Sequence, residues 1–355
     1  MALKFSTVIA GFVVVALFLT DHAAANGDET VTQRELIVLA APRSDDPYYR
    51  DVADDILAFH AAFAEAIIEN GDDVLIFVDE AAFKRYADKI PKDRLVVAPM
   101  DDIWMRDFSL ANPQAPVMFR YTAEGQGGGR RGQRDADTVQ ERLAAFLEEA
   151  GLDFAESDLL NDGGNFVDDY AGRAVVSRKF LQDNTLTEGE ARARLREAAR
   201  VDHIAFIEAD EQGGLEHADG VVAFVGPNRI AVNAYPDDPA YAAALAGDLR
   251  AGLPGVEIFE IPAPYDGTQV HDERFGSACG LYTNMLVTPA RIYFPQFGVA
   301  EDAAAIDALS PWTDKTIVPV PSGGVCHMGG GVRCMSWQLR GENAEKLLRW
   351  AAGRQ

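Results

Sequence analysis

The stretch NFVDDYAGRAVV, Asn165 to Val176, decides the fold. Two strand-like runs flank a turn at Ala171-Gly172, residue types suited to a tight connection. A charged helix is expected next, near Glu188 to Arg200, and then an apolar strand, His203 to Ile207. The same order recurs downstream. Gly220 to Ala234 is a hairpin turning at Gly226-Pro227-Asn228, with a helix near Pro239 to Ala251 and a strand Val256 to Ile261. A third copy runs through the hairpin Asn284 to Phe294, turning at Pro289-Ala290, a helix near Glu301 to Leu309 and a strand Thr316 to Val320. Towards the N-terminus, a copy begins near Asp101, has the strand Val117 to Tyr121 and continues into a helix near Asp135 to Ala150. The last starts around Gly329 and enters a helix at Glu342 to Ala352. It would finish with the N-terminal strands Glu35 to Ala41 and Asp73 to Val78.

This gives about five ββαβ-like units, one of them shared by the chain ends. Units that cannot bury their apolar faces alone must pack on their neighbours. Five in a ring predict a closed, pseudo-symmetric α/β propeller with a central site; an open α/β sheet is the competing architecture. At 355 residues and 48% hydrophobic content, the chain has ample material for a core. Gly125 to Asp135, with its run of glycines and arginines, reads as a mobile loop.

The first residues belong elsewhere. Lys4, the apolar run Val8 to Leu19 and the small residues Ala23 to Ala25 follow the order of a secretory signal, so residues 1–25 are expected to be removed. An uncleaved anchor is the other reading. The mature part, 26–355, is then one catalytic domain, exported to the periplasm or outside the cell, with no membrane association after cleavage. Lys plus Arg number 32 against 56 Asp plus Glu, a net charge of −24, which repels nucleic acid. It would steer cationic ligands inward or simply serve solubility. The three cysteines are too few for a disulfide scaffold; Cys326 is either free or paired with Cys279. No zinc-ligand spacing occurs, and neither a metal nor a cofactor is expected.

Each unit opens on a polar cluster: Trp104-Met105-Arg106-Asp107, Asp162-Gly163-Gly164-Asn165, His217-Ala218-Asp219-Gly220, Thr283-Asn284, and Gly329 to Cys334. In a ring, these clusters would face one axis. A thiol, an imidazole and paired carboxylates together suit nucleophilic attack on a guanidinium carbon. The guanidinium is planar, permanently charged and forked, so carboxylates such as Asp107 and Asp219 recognise it by paired hydrogen bonds. Trp104 can pack on the planar cation, with Arg106 beside it. Cys334 attacks as thiolate, and His217 protonates the leaving ammonia and then activates water. Gly329 to Gly331 would let backbone approach the substrate.

These clusters, in this order, resemble the agmatine deiminase and Porphyromonas-type peptidylarginine deiminase family. The resemblance covers most of the chain beyond Val96. It implies the five-bladed pentein fold, a covalent Cys mechanism and no metal. It implies Cys334 as nucleophile, His217 as acid/base, and Asp107 and Asp219 as guanidinium carboxylates. Trp104, Asp162 and Asn284 are then expected around the substrate, Asp162 standing where relatives commonly place Glu. Arg333 departs from the pattern, because agmatine deiminases usually carry His before the nucleophile. The substrate is a cationic guanidino small molecule or an arginine-containing peptide. Agmatine is the alternative to peptidyl-arginine, with an amidinotransferase or a non-catalytic guanidino binder further off. Export favours an extracellular arginine compound, and Arg120, Arg130 or Arg131 could meet its carboxylate. Cys326-His327 is the rival nucleophile pair, although strand neighbours point to opposite faces. Oligomeric state is not legible.

Overall fold

A computed structural model describes residues 34–210 and 214–354. The leader reading at residues 1–25 lies outside them. Arg34–Gln355 forms one compact unit, in which the described strands make five sheets.

Three of the sheets share one plan. Val167–Asp168 pairs antiparallel with Arg173–Ser177, which pairs parallel with His203–Ile207. Val222–Gly226, Arg229–Asn233 and Glu257–Ile261 repeat this, as do Leu286–Val287, Arg291–Gln296 and Thr316–Pro321. Each parallel strand needs a crossover, which a helix supplies. Between the second and third strands lie Glu188–Ala199, Pro239–Gly252 and Glu301–Leu309.

Local chemistry explains the boundaries. Thr187 and Glu190 close a capping box on the first of these helices. Ala191, Leu195 and Ala199 then fall on one face, four residues apart, and are buried. Pro239 sits at the start of the second helix, where a missing N–H leaves no bond unmade, and Asp238 caps it. In the central strands every residue of Val175 to Ser177 and of Ile204 to Ile207 is buried. Helices on one side and neighbouring strands on the other require such runs.

The other two sheets differ. Val117–Arg120 and Ala155–Leu160 pair parallel, and the hairpin partner shrinks to a single bridge, Ala111 to Val117. The helix between them is Gly129–Ala150. The expected mobile loop at Gly125 to Asp135 is therefore corrected: a short turn Glu124–Gln126 leads directly into this helix. Gly127 and Gly128 take left-handed backbone, φ 89° and 77°, to reverse the chain there. The largest sheet joins the ends: Trp337–Leu339 runs antiparallel to Leu36–Ala40, with Leu36 opposite Leu339. Asp73–Val78 and Leu95–Val97 extend it in parallel.

The polar clusters sit where strands begin. Gly163–Asn165 and Ala218–Gly220 are matching single-turn 3-10 helices, preceded by Asp162 and His217 in the same extended conformation. Met105–Phe108 is one α-turn. Residues 262–285 carry neither helix nor strand. They are tied to the turn Cys326–Met328 by the Cys279–Cys326 disulfide and by Ala278 N–H donating to Cys326 O, 2.9 Å. The described residues include no helix long and apolar enough to cross a membrane.

Candidate active site

A cavity of about 720 Å³ receives Trp104, Asp107, His217, Asp219, Asn284 and Cys334 together. They come from different units of the repeat. With the other two cysteines bonded to each other, Cys334 is the free thiol. That removes Cys326 as the rival nucleophile. Asn284 Nδ2 donates to Cys334 Sγ at 3.0 Å, and the sulfur lies 3.8 Å from Asp219 Oδ2. Burial pushes the thiol's pKa up, and the charges of Asp219 and Asp107 push the same way. A bound cation is what would bring it down.

His217 is clasped from two sides. Its Nε2 meets Asp162 Oδ2 at 3.0 Å, and its Nδ1 is 3.7 Å from Asp107 Oδ1. Burial opposes charging of the ring, yet Asp107 and Asp162 outweigh it and lift the imidazole to about 9. The resting side chain is thus an imidazolium at neutral pH, loaded with the proton that a leaving amine needs. Asp107 is pushed up by burial and by the like charges of Asp162 and Asp219, with His217 acting against them.

Each pocket carboxylate keeps one oxygen in reserve. Asp107 Oδ1 accepts from Gly164 N–H at 3.0 Å. Asp219 Oδ2 accepts from Arg333 Nη1 at 2.7 Å. The partner oxygens, Asp107 Oδ2 and Asp219 Oδ1, accept no hydrogen bond from the described residues and remain for a forked cation.

Two glycines are required by closeness. A Cβ on Gly164 would stand 2.4 Å from His217 Nδ1 and 2.8 Å from Asp107 Oδ1. On Gly330 it would meet the Trp104 ring at 2.5 Å and Cys334 Cβ at 2.7 Å. In the run Gly329 to Gly331, expected to let backbone approach the substrate, Gly329 lines the cavity and Gly330 makes room for the tryptophan and the nucleophile.

Two expected substrate contacts are corrected. Arg106 is buried away from the cavity and donates through Nη2 to Gln338 Oε1, 3.1 Å. It sits one residue from Asp107 on the α-turn, so the two side chains leave in different directions. Asp162 does not line the cavity either. Thr122 N and Oγ1 each donate to it at 2.8 Å, which aims its Oδ2 at His217. The arginines thought able to reach a substrate carboxylate also lie elsewhere. Arg120 pairs with Asp137 and Arg131 with Asp135, and neither they nor Arg130 line the cavity.

Sequence reasoning missed the mouth. Asp46, Asp101, Asp210, Asp237 and Asp238 surround it, with Tyr48, Tyr235 and Tyr265 among them. The guanidinium on its wall, among the described residues, is Arg274, which is held by Asp272 through Nε and Nη2. These residues stand on irregular segments without periodicity, and the pairing of Cys279 with Cys326 was the signal that could have drawn residues 262–285 over the site.

Residues 28–339 match the family described as Porphyromonas-type peptidyl-arginine deiminase. A relative from Vibrio parahaemolyticus, named among the agmatine deiminases, is 23% identical over 326 residues, 81% of this chain and 89% of its own length. One from Shewanella sp. (strain MR-7), named in the same way, is 24% identical over 297 residues, 73% and 79% of the two chains. The solved agmatine deiminase of C. jejuni aligns with a TM-score of 0.70 at 18% identity, covering 88% of this chain and 95% of that one. That of Enterococcus faecalis gives 0.69 at 18%, over 88% and 94%. Likeness at this identity speaks for the fold.

Proposed function

We infer, from the premise that the chain belongs to the Porphyromonas-type peptidyl-arginine deiminase family, that it is a hydrolase converting a guanidino group to a ureido group with release of ammonia. The observation that carries this reading is the free Cys334 thiol. It is hydrogen-bonded by Asn284 and shares one cavity with His217 and two half-used carboxylates.

The chemistry follows from the geometry. Asp107 Oδ2 and Asp219 Oδ1 hold the substrate's N–H groups, and Trp104 borders the planar cation. The bound charge favours ionisation of Cys334. The thiolate attacks the guanidinium carbon and forms a C–S bond. His217 gives its proton to one nitrogen, the C–N bond breaks, and ammonia leaves a thiouronium. Water then attacks the same carbon and passes a proton to His217. The C–S bond breaks, the thiolate returns, and the ureido product departs once its remaining hydroxyl proton has passed to the ammonia or to solvent. An acceptor amine in place of water would make the enzyme an amidinotransferase.

The preferred substrate is a guanidino compound without a free carboxylate near the mouth. Acids ring the entrance, and the cations on the wall are already matched, Arg274 by Asp272 and His217 by Asp162 and Asp107. Agmatine fits that description. Arginine within a peptide also fits, and the cavity's size favours it, since about 720 Å³ lies high in the ~300–1,000 Å³ range of small-molecule sites.

The five sheets are read as a closed five-bladed ring, supported by the pairing of Leu36–Ala40 with Trp337–Leu339 that unites the chain ends. Export is read from the leader-like N-terminus, supported by a disulfide that oxidising compartments sustain. The test of function is ammonia release from a panel of agmatine, free arginine and arginine peptides. Cys334→Ser should abolish it, and a haloacetamidine should label Cys334 unless substrate is present. Turnover that survives in Cys334→Ser would overturn the reading.

A further inference from the structure

Beside a site that receives a guanidinium from outside lies one that belongs to the chain. Arg333 is 7% exposed. Its Nη1 donates to Asp219 Oδ2 at 2.7 Å and to Gly163 O at 3.4 Å, and its Nη2 donates to Phe166 O at 2.8 Å. The two carbonyls belong to the 3-10 turn Gly163–Asn165 and the residue that leaves it, so the fork is fixed from three sides. The Arg333 backbone N–H donates to Asn284 O at 3.2 Å, and Asn284 in turn donates to Cys334 Sγ. Asp219 Oδ2 is therefore shared: a permanent cation holds it on one side, and the nucleophile stands 3.8 Å away on the other.

That placement resolves a conflict within the site. Recognition of a guanidinium asks for carboxylates, while a carboxylate beside a thiol resists ionisation of the sulfur. The charged and titratable groups acting on the thiol are Asp219, Asp107 and Arg333, with His217 on the same cavity. Those acting on Arg333 are Asp219, Asp168 and Tyr170, with Arg106 as a like charge nearby.

We propose that Arg333 is a positioning residue that sets the ionisation of Cys334, by neutralising the Asp219 oxygen nearest the sulfur while leaving the other oxygen for substrate. Arginine suits this task because its guanidinium stays charged when buried and its fork reaches Asp219 and two backbone carbonyls at once. The arrangement gives up some attraction for the incoming cation and gains a thiolate that forms more readily. Only the kinetic arm of the test rests on the deiminase reading, since thiol ionisation is read without turnover.

The experiment follows the rate of iodoacetamide alkylation against pH. With the Cys279–Cys326 disulfide intact, Cys334 is the free thiol to be modified. Arg333→Gln should raise the midpoint by about one unit or more, about tenfold less thiolate at any pH below it. Asp219→Asn should lower the midpoint, and the double variant should return to within about threefold of the wild-type rate as the two charges cancel. In turnover, Arg333→Gln should lower kcat about tenfold and also lower KM for a cationic guanidino substrate, a split that loss of scaffolding alone does not produce. If Arg333→Gln fails to fold, the comparison of Asp219→Asn with the double variant carries the test, because there the buried pair is removed as a unit. Alkylation profiles that overlay wild type for Arg333→Gln, or Asp219→Asn for the double variant, at native melting temperatures, would overturn the proposal. A shifted profile in a protein that deiminates nothing would uphold this role and sink the deiminase reading instead.

Discussion

Replacing Asp162 by Asn strips the charge from one side of His217 while keeping an oxygen for Thr122. At the 3.0 Å separation of Nε2 and Oδ2, an effective dielectric of ~20 gives an attraction of about 5–6 kcal/mol, an upper figure for the imidazolium. Asp107 remains 3.7 Å from the other ring nitrogen, and burial still disfavours the charge. The net expectation is a fall of about one to three pKa units. The imidazole would move from about 9 into the neutral range, so the alkaline limb of the kcat–pH profile should shift down by the same interval. Because the ring also loses its orienting partner, kcat should drop about 100-fold, the lower end of what a general acid contributes, with KM little changed. Ammonia release across about pH 5–10 at fixed ionic strength reads both quantities. Thr122→Val is the control: it removes one hydrogen bond to Asp162 but leaves its charge, so the limb should barely move. An unmoved alkaline limb and near-wild-type kcat in a stably folded Asp162→Asn would refute the assignment of Asp162 as the group that charges His217.

Asp107→Asn and Asp219→Asn should each cost roughly 2–5 kcal/mol in kcat/KM on guanidino substrates, measured by steady-state kinetics. Cys326→Ser should keep most turnover yet lower the melting temperature, since losing a native disulfide costs about 2–5 kcal/mol. His60 is buried and neutral, held near 3 by its dry surroundings. With the folded value depressed, its contribution is fully present above the unfolded value near ~6.5 and is lost as pH falls towards 3, about 3 kcal/mol by pH ~4.5. Urea melts at neutral and acid pH should show His60→Leu as less acid-sensitive than wild type. N-terminal sequencing of protein from the native host should begin close to Asn26.

The repeat was legible because its signals are local. His203–Ile207, Asp73–Val78 and Glu301–Leu309 stand where apolar runs and helical periodicity put them. Glycine misled at Gly125 to Asp135: the run that suggested a loop is a reversal of a few residues before a helix, whose buried face is set by Ala136, Val139, Leu143 and Leu147. The site was legible as residue types at equivalent positions, since Asp162 and His217 precede matching 3-10 turns. Which of these face the cavity and which face each other was not. That depends on side-chain direction, and Arg106 beside Asp107, or Asp162 behind His217, differ in nothing a linear pattern records.

The sequence offers Arg120, Arg130 and Arg131 near a catalytic cluster, and proximity along the chain suggested that they serve the substrate. All three lie off the cavity, where helix Gly129–Ala150 carries two of them outward. Arg274 reaches the wall from a segment some 170 residues beyond Trp104 in the chain, brought there with a stretch anchored by a disulfide. Arg333, adjacent to the nucleophile, turns inward to Asp219. The guanidinium on the wall and the one behind it are thus already matched by acids of their own chain, Arg274 by Asp272 and Arg333 by Asp219. An incoming carboxylate would have to displace one of those acids, at the cost of leaving it unpaired in an acidic setting. An incoming cation displaces no partner, since Asp107 and Asp219 each hold an oxygen ready and the rim adds attraction of the same sign. Under the proposed function, charge pairing inside the chain, more than net charge, is what would tilt this site towards guanidino groups without a carboxylate at their side.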